Sequence, residues 1–392
     1  MYWTLLLLTI CSVILCHSAM AQKERKVITY NTALQFSIPR KTQRMRNLVR
    51  GLRALRADVV CLQEVYDGSD IKQMMPKLRD IYPYSFSFKH ETVTTLKAAE
   101  EPPCNREKIT DFLTCVSSHC SGFNTSVHED RISLLLCLQK QCASQVFSLS
   151  QDCLTCFFLE NDLTEAANVC LNPQTTINVP GLLLFSKHPI NSASAVEHHP
   201  GLLEIAKQGY LQVDIDTIGA FVCTHLATPF LGDLYPEAAL PYSSYVEQNM
   251  AEVNNLLTAV NGTTPLVLAG DFNTGPSMPD IDVCEQSPDS YRILESSEAN
   301  LTSNILDACT FCKSNIWNQE LQCDWTIDHI FLRGHTYKET KRIFDDSIMT
   351  MTNHLSDHYG VMVTFVDSIN TEEDKMGKIN LETNIKCILH QE

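Results

Sequence analysis

Short apolar runs rich in β-branched residues recur along the chain and are separated by polar turns. They predict strands at 27–31, 59–62, 180–186, 208–215, 221–226, 266–269, 328–332 and 361–366. Between these runs, apolar residues at helical spacing predict helices at 44–56, 70–80 and 243–260. Strands that alternate with helices indicate an α/β protein whose layers bury the apolar runs.

A different pattern occupies residues 101–172, where eight cysteines lie in stretches with helical spacing. We expect a small helical insertion held together by disulfides. Two antiparallel helices would allow Cys115 to pair with Cys142 and Cys120 with Cys137, although spacing alone does not fix the connectivity. Zinc binding by the Cys-x-x-Cys pair within the cluster is the alternative for those two cysteines.

Both ends of the chain differ from its middle. An apolar stretch at 5–15 is too short to span a membrane and precedes Ala19-Met20-Ala21, which predicts a cleaved secretory signal, with an uncleaved anchor as the alternative. The last residues are polar and predict a loose tail. The expected organisation is a signal peptide at 1–21, a first catalytic part at 22–100, the cysteine-rich helical insertion at 101–172, a second catalytic part at 173–366 and a C-terminal tail at 367–392.

Composition agrees with export from the cell. The chain has 17 cysteines among 392 residues, a density typical of disulfide-bonded extracellular proteins. Asn124, Asn261 and Asn300 begin glycosylation sequons. We therefore expect a secreted, extracellular glycoprotein. The net charge is −16, whereas proteins that attract nucleic acid at long range usually carry a basic surface. A metal-dependent nuclease can nevertheless bind phosphate locally through its ion.

Polar side chains with catalytic potential stand at the ends of several predicted strands. Glu64 follows the run at 59–62, and Asp271 follows the run at 266–269. Strand ends in a layered α/β protein converge on one cleft. Carboxylate and amide oxygens are ligands that Mg²⁺ takes together with substrate phosphates, and a nearby histidine supplies a base. The set therefore suits phosphoester hydrolysis.

Taken in order, these strings resemble the endonuclease/exonuclease/phosphatase superfamily. They are Asn31, Gln63-Glu64-Val65, Thr224-His225-Leu226, Gly270-Asp271-Phe272-Asn273, Ile327-Asp328-His329 and Ser356-Asp357-His358. The resemblance implies a two-sheet α/β sandwich with its site where the strand ends of both sheets meet. Within the superfamily, the segment 57–67 followed by Tyr82-Pro83-Tyr84, and Lys207-Gln208-Gly209 before a strand, are similar to neutral sphingomyelinases. The cysteine-rich insertion is not part of that pattern.

The resemblance and the side-chain chemistry assign the same roles. His358 is expected to take a proton from water, with Asp328 setting its tautomer. Asp271 and Asn273 stand two apart in extended chain, so both can face the cleft, where with His225 they would bind phosphate and stabilise developing charge. The predicted metal ligands are Asn31, Glu64 and Asp357, and the predicted catalytic residues are His225, Asp271, Asn273, Asp328 and His358.

The remaining histidines are expected to be structural or solvated. His329 neighbours Asp328 on the opposite strand face and is interpreted as structural. His188, His198 and His199 lie on turns and are interpreted as exposed to solvent.

The cysteines outside the insertion and the predicted signal divide into three groups. Cys61 and Cys223 lie in predicted core strands, and we expect free thiols that pack. Fifteen cysteines remain once the signal, with its two, is removed, so at least one stays unpaired or pairs between chains, and Cys387 on the tail is a candidate. One or two disulfides are expected among the cysteines before Asp328, which are Cys284, Cys309, Cys312 and Cys323.

The segment after His225 is unusually apolar for a loop beside an active site. It contains Phe230, Leu231, Leu234 and Tyr235. Contact with a membrane surface and packing against the insertion both explain this composition.

The sequence therefore predicts a secreted phosphodiesterase that uses Mg²⁺, for which Mn²⁺ can substitute. Its expected substrate is sphingomyelin or a related phospholipid at a membrane surface. A secreted deoxyribonuclease-like endonuclease of the same fold, with nucleic acid as substrate, is the alternative. A catalytically idle chain whose insertion binds a partner is a third hypothesis, and no stable protein partner is predicted.

Overall fold

Two six-stranded sheets form the centre of the molecule in the computed structural model. The structure describes residues 23–34, 38–97, 101–123, 128–160, 163–228, 235, 240–296, 298–303, 306–345 and 354–367. The predicted signal peptide, the segment 229–234 and the predicted tail after Asp367 lie outside these residues. Among the helices in the described part of the chain, none is long and apolar enough to cross a membrane.

The strands are β1 Arg25–Asn31, β2 Val59–Gln63, β3 Tyr84–Ser87, β4 His90–Thr92, β5 Thr95–Leu96, β6 Leu183–Ser186, β7 Ile190–Glu197, β8 Gly209–Ile215, β9 Gly219–His225, β10 Leu266–Asp271, β11 Thr302–Ser303, β12 Asp328–Arg333, β13 His335–Ile343 and β14 Gly360–Asp367. They pair into two sheets with the orders β13-β14-β1-β2-β6-β3 and β11-β12-β10-β9-β8-β7. The pairs β1/β2 and β9/β10 are parallel, and the other neighbours are antiparallel. A short hairpin of β4 and β5 lies outside the sheets.

Helices cover the outer faces of the sheets and form the insertion. The first two helices pack on the first sheet, and the two helices near β10 pack on the second. The helices are α1 Lys41–Leu55, α2 Gly68–Leu78, α3 Arg106–His119, α4 His128–Gln141, α5 Ala143–Ser148, α6 Gln151–Leu159, α7 Leu163–Cys170, α8 Tyr245–Ala259 and α9 Pro288–Leu294, with a 3₁₀ turn at Pro279–Ile281.

The continuous apolar run of β2 is explained by burial on both of its faces. Val59 and Cys61 point into the core between the sheets. Val60 and Leu62 point the other way, into a second core under α1 and α2. A strand covered on both faces needs apolar residues at every position, whereas a strand with one wet face alternates. The two-sheet α/β sandwich predicted from the sequence is confirmed.

Two long strands at sheet edges have no counterpart among the predicted strands. β7 reads INSASAVE and β13 reads HTYKETKRI, and most of their side chains are exposed or half-buried. Edge strands carry polar residues that discourage pairing with other chains. Such strands therefore lack the apolar run by which the central strands are recognised in sequence.

The helices α3 to α7 form a separate small core between β5 and β6. Its disulfides are Cys104–Cys153, Cys115–Cys142, Cys120–Cys137 and Cys156–Cys170. All eight cysteines of the insertion are thus paired with one another, and the zinc alternative for the Cys-x-x-Cys pair is not needed. The two remaining disulfides outside the sheets are Cys284–Cys323 and Cys309–Cys312.

The interpretation of Cys61 and Cys223 as free thiols is wrong. They form a disulfide that joins β2 of the first sheet to β9 of the second. The two strands face each other across the central core, so residues distant in sequence meet with their sulfur atoms in contact. Cys223 lies two residues before His225, which ends β9. Cys61 lies two residues before Gln63, which ends β2 and directly precedes Glu64.

Replacing Cys61 and Cys223 together with alanine is expected to lower the free energy of unfolding by about 2–5 kcal/mol, as loss of a native disulfide typically does. Replacing Cys309 and Cys312 should cost less, because that bridge spans a sequence separation of 3 and the inter-sheet bridge one of 162. Denaturant unfolding of both double variants measures the difference. Equal losses would contradict the expectation that the inter-sheet disulfide stabilises the fold more than Cys309–Cys312 does.

Candidate active site

The candidate site lies where strand ends of the two sheets meet. Asn31 ends β1, and Glu64 directly follows β2, its parallel neighbour. His225 and Asp271 end the parallel strands β9 and β10 and stand opposite each other in register. Asp328 begins the antiparallel β12 and stands opposite Asp271 on its other side. The pairing registers therefore place these side chains at one edge of the sandwich.

Asn31 connects the polar groups of the two sheets. Its Nδ2 donates to Asp271 Oδ2 at 2.9 Å and to Glu64 Oε1 at 3.3 Å. Glu64 has a φ of 60°, in the left-handed region that side chains rarely adopt, so its backbone turns sharply out of β2. Its Oε2 is buried and accepts no hydrogen bond within the described part of the chain. A buried carboxylate oxygen without a donor is suited to a cation.

Crowding of carboxylates perturbs the pKa values of the site. Burial, together with the charge of Asp357, raises the pKa of Glu64 to about 7. Burial, together with the charge of Asp328, raises the pKa of Asp271 to about 7. Each of these carboxylates is costly to ionise without a positive partner. A divalent cation held by oxygen ligands would relieve that cost, and the donor set therefore fits the predicted metal.

His358 is held between two carboxylates. Its Nδ1 lies 2.8 Å from Asp328 Oδ2, and its Nε2 lies 3.8 Å from Asp271 Oδ2. Burial alone would lower its pKa, but the charges of Asp328 and Asp271 outweigh burial and raise the pKa to about 10. A cation on the site carboxylates would offset those charges and favour the neutral imidazole. The geometry matches the predicted pairing of His358 with Asp328, in which Nε2 faces the cleft.

His225 is a buried neutral imidazole. Its Nε2 lies 3.5 Å from Asp271 Oδ2, and its Nδ1 has no hydrogen-bond partner in the described chain. Burial and the nearby charge of His358 lower its pKa to about 4. A neutral ring at this position can donate one hydrogen bond toward the cleft.

Asn273 braces the turn after β10. Its φ is 50°, its backbone N–H donates to Asp271 Oδ1 at 3.0 Å, and its Nδ2 donates to Leu226 O at 2.8 Å. One N–H of the side-chain amide is thus used by the backbone, and the predicted contact with phosphate falls to its second N–H. Asp357 is half-buried, with Oδ1 at 3.0 Å from Ser356 Oγ, and the structure places its charge near Glu64.

The other histidines differ from expectation in part. His329 Nε2 lies 2.9 Å from the carbonyl oxygen of Thr274, as suits a structural residue. His188 is half-buried and lies 3.0 Å from Asp58 Oδ1. The interpretation of His198 and His199 as solvated is wrong, because both are buried in the loop between β7 and β8. That loop packs beneath the insertion, which a turn-like sequence does not reveal.

Two aromatic residues beside His358 were not predicted from the sequence. The Phe311 ring lies 4.7 Å from the His358 ring, and Trp325 stacks on Phe311 with 6.0 Å between centroids. Both are half-buried. The only sequence signals were indirect, namely Phe311 between two close cysteines and Trp325 three residues before Asp328.

A positioning residue was missed as well. The Arg44 guanidinium donates to the backbone carbonyls of Thr32 at 3.1 Å, Ala33 at 2.8 Å and Leu355 at 2.9 Å. It therefore holds the segment after Asn31 against the segment that leads to His358. An arginine in an amphipathic helix ordinarily points to solvent, so the sequence did not predict this role for Arg44.

Comparison with known proteins agrees with this architecture. Residues 28–358 match the Endonuclease/Exonuclease/phosphatase family. A protein described as an endonuclease/exonuclease/phosphatase from Beutenbergia cavernae DSM 12333 has a similar structure, with a TM-score of 0.52, 18% identity and coverage of 88% of this chain and 72% of that one. No curated protein sequence matches this chain.

Two further solved structures resemble the chain more weakly. Sphingomyelinase C from Streptomyces griseocarneus has a TM-score of 0.48 at 15% identity, covering 87% of this chain and 99% of that one. D. rerio TDP2 with a single-strand DNA product has a TM-score of 0.48 at 12% identity, covering 88% and 99%.

Fold and site together define a two-sheet α/β hydrolase with a carboxylate-rich centre at the strand ends. The chain belongs to the endonuclease/exonuclease/phosphatase family, whose match extends over most of its length. Enzymes of this family hydrolyse phosphodiester bonds and generally use divalent metal ions.

Proposed function

We propose that the chain is a Mg²⁺-dependent phosphodiesterase that hydrolyses sphingomyelin or a related phospholipid at a membrane surface. One observation carries the catalytic part of this proposal. Asn31 bridges Glu64 and Asp271 across the two sheets, and the His358–Asp328 pair approaches the same Asp271 carboxylate. A metal-binding carboxylate, a phosphate-binding group and a base thus surround one small space.

The site residues have separate roles in metal binding and proton transfer. Glu64, with Asn31 and Asp357, would hold the cation, which when bound supplies positive charge that stabilises the phosphate in the transition state. His358 Nε2 takes a proton from water while Asp328 keeps the proton on Nδ1. As the water oxygen bonds to phosphorus, the bond from phosphorus to the ceramide oxygen breaks, and that oxygen takes up the proton that His358 releases to solvent. The products are a ceramide-like lipid and a phosphorylated headgroup.

His225 and the turn after β10 serve the phosphate. His225 is neutral because burial lowers its pKa. It therefore donates a hydrogen bond to a phosphoryl oxygen, and its own protonation state does not change near pH 7. Asp271 and Asn273, beside His225 at the ends of neighbouring strands, orient water and phosphate.

The choice of a lipid rests on the apolar segment that follows His225. The residues 229–234 lie outside the described part of the chain, but both ends of the segment are placed. It leaves the site at Ala227, which is buried, and returns at Tyr235, whose ring packs 4.8 Å from Tyr245. Tyr235 is half-buried, donates to Gln248 and belongs to an apolar cluster with Leu135 and Phe158, so this residue packs against the insertion and does not contact lipid. The proposal therefore assigns lipid contact to Phe230, Leu231 and Leu234.

Replacing Phe230 and Leu231 with serine is expected to weaken vesicle binding and sphingomyelin hydrolysis strongly. Each large apolar side chain that becomes fully buried in lipid could contribute about 1.5–3 kcal/mol, and less at partial burial. Hydrolysis of a small soluble phosphodiester should stay nearly unchanged, because this segment does no chemistry. Vesicle co-sedimentation and parallel rate assays measure the three quantities.

The matched control is Ile281→Ser, which removes an exposed apolar side chain from another loop. It should leave all three quantities as in the wild type. Equal loss on vesicles and soluble substrate in the double variant would mean that the segment packs as core. If the double variant loses activity on neither vesicles nor the soluble substrate, the apolar segment no longer supports a lipid substrate over nucleic acid.

We also infer that the protein is secreted. The predicted signal and the disulfides support this, since all fourteen cysteines in the described residues are paired. Disulfides at this density form and persist in oxidising compartments.

A further inference from the structure

A second buried polar cluster lies away from the candidate active site. It consists of His199 and Glu204, from the loop between β7 and β8, and Glu252, from α8. All three side chains are buried, and one ligand atom of each lies within 4.8 Å of the others. Nothing in the proposed reaction uses them.

The distances within the cluster fit a small divalent ion. His199 Nδ1 lies 3.4 Å from Glu204 Oε2 and 3.9 Å from Glu252 Oε1. A tetrahedral zinc ion with bonds of about 2.1 Å separates its ligand atoms by about 3.4 Å. His199 Nδ1 is buried and has no hydrogen-bond partner among the described residues.

The other nitrogen of His199 is already oriented. Its Nε2 lies 3.1 Å from the hydroxyl of Tyr242, which can accept the Nε2 proton. That tautomer directs the Nδ1 lone pair toward the two glutamates. Histidines that bind metals usually have their second nitrogen fixed by a hydrogen bond in this way.

One lysine lies beside the cluster. Lys207 Nζ lies 3.0 Å from Glu204 Oε1 and 3.2 Å from Glu197 Oε2, so this one lysine faces two carboxylates. Within the described residues, Glu252 accepts hydrogen bonds from neutral groups, the Ala227 N–H at 2.8 Å and Gln248 Nε2 at 2.7 Å.

We propose that His199, Glu204 and Glu252 form a structural metal site that takes Zn²⁺. One imidazole nitrogen with carboxylate oxygens is a donor set that zinc accepts, whereas Mg²⁺ prefers oxygen alone. A zinc ion here would occupy the position toward which His199 Nδ1 points, within reach of one oxygen of each glutamate. The site is separate from the Glu64 centre in its ligands and in its metal.

The site would join three parts of the molecule. The Gln151 side chain of the insertion bonds the backbone of Glu204, with its Nε2 at 2.8 Å from the carbonyl and its Oε1 at 3.0 Å from the N–H. Glu252 belongs to α8, and its Oε2 holds the Ala227 N–H, two residues after His225. A metal here therefore fastens the insertion and α8 to the segment that leaves the active site.

The test is the zinc content of untagged protein, measured by mass spectrometry after incubation with micromolar ZnCl₂ in Mg²⁺ buffer and dialysis into zinc-free Mg²⁺ buffer. The wild type is expected to retain about one zinc per chain. Glu252→Gln, which keeps the side-chain shape and can still accept from Ala227, should retain at least about tenfold less. Glu64→Gln is the matched control and should retain zinc as the wild type does.

Thermal unfolding gives a second readout that does not depend on activity. A zinc-selective chelator should lower the Tm of the wild type and of Glu64→Gln, and should leave the Tm of Glu252→Gln unchanged. If Glu252→Gln fails to fold, His199→Gln takes its place in both measurements. A wild type without zinc, a Glu252→Gln protein that keeps it, or loss of zinc on Glu64→Gln instead would each overturn the proposal.

Discussion

Replacing His358 with alanine is expected to lower kcat by about a thousandfold, because general-base catalysis typically contributes about 10²–10⁴. Nδ1 of this ring is held by Asp328 at 2.8 Å, and Nε2 faces the carboxylate of Asp271 at 3.8 Å. Alanine leaves no group at that position to take the proton from water. Steady-state rates at saturating substrate measure the loss.

Substitution of Asp328, the partner of His358, tests the pairing of the two residues directly. Asp328→Asn should reduce kcat by a similar factor, because an amide in place of the carboxylate favours the wrong imidazole tautomer. His188→Ala is the matched control, since His188 also pairs with an aspartate, Asp58, at 3.0 Å. That variant should keep the wild-type rate. A wild-type rate in Asp328→Asn would refute the pairing, whatever His358→Ala does.

Replacing Glu64 with glutamine is expected to abolish most of the activity while leaving the fold intact. The carboxylate is the main oxygen ligand of the proposed metal, and its Oε2 has no other partner in the described chain. Burial and Asp357 already raise its pKa to about 7, so a neutral amide relieves crowding instead of breaking a favourable contact. Rates and the Tm should be measured together, and the Tm should not fall.

Metal removal should reproduce the effect of that substitution. Dialysis against EDTA is expected to remove the activity of the wild type. Addition of Mg²⁺ or Mn²⁺ should restore that activity in the wild type but give none in Glu64→Gln. Glu285→Gln, the same change at an exposed glutamate, should respond to metal as the wild type does. Full activity of the wild type in chelator would show that the Glu64 carboxylate does not act through a cation.

The sequence predicted the central strands and the groups at their ends because both follow from local rules. A strand buried on both faces must be apolar throughout, as β2 is, and a polar residue directly after such a strand has few structural reasons to be there. Glu64 and Asp271 were recognisable in this way, and their order along the chain pointed to the family. The match over residues 28–358 confirms that assignment.

What escaped prediction depends on contacts between distant segments. Cys61 and Cys223 stand in different sheets, and only the packing of one sheet on the other brings their sulfur atoms together. His199 lies in a turn-like sequence, yet it is buried where the loop meets α8. Phe311 reaches the ring of His358 from another loop. These contacts join residues that are far apart in sequence, and no periodic pattern or fixed spacing in the sequence predicts them.

The most direct test of the account offers sphingomyelin vesicles and plasmid DNA to the purified protein in parallel, each with Mg²⁺ and with EDTA. The account predicts release of phosphorylated headgroup from the vesicles in Mg²⁺, none in EDTA, and little or no cleavage of the plasmid in either. Rapid Mg²⁺-dependent cleavage of the plasmid with intact vesicles would contradict the lipid substrate and identify a nuclease built on the same site.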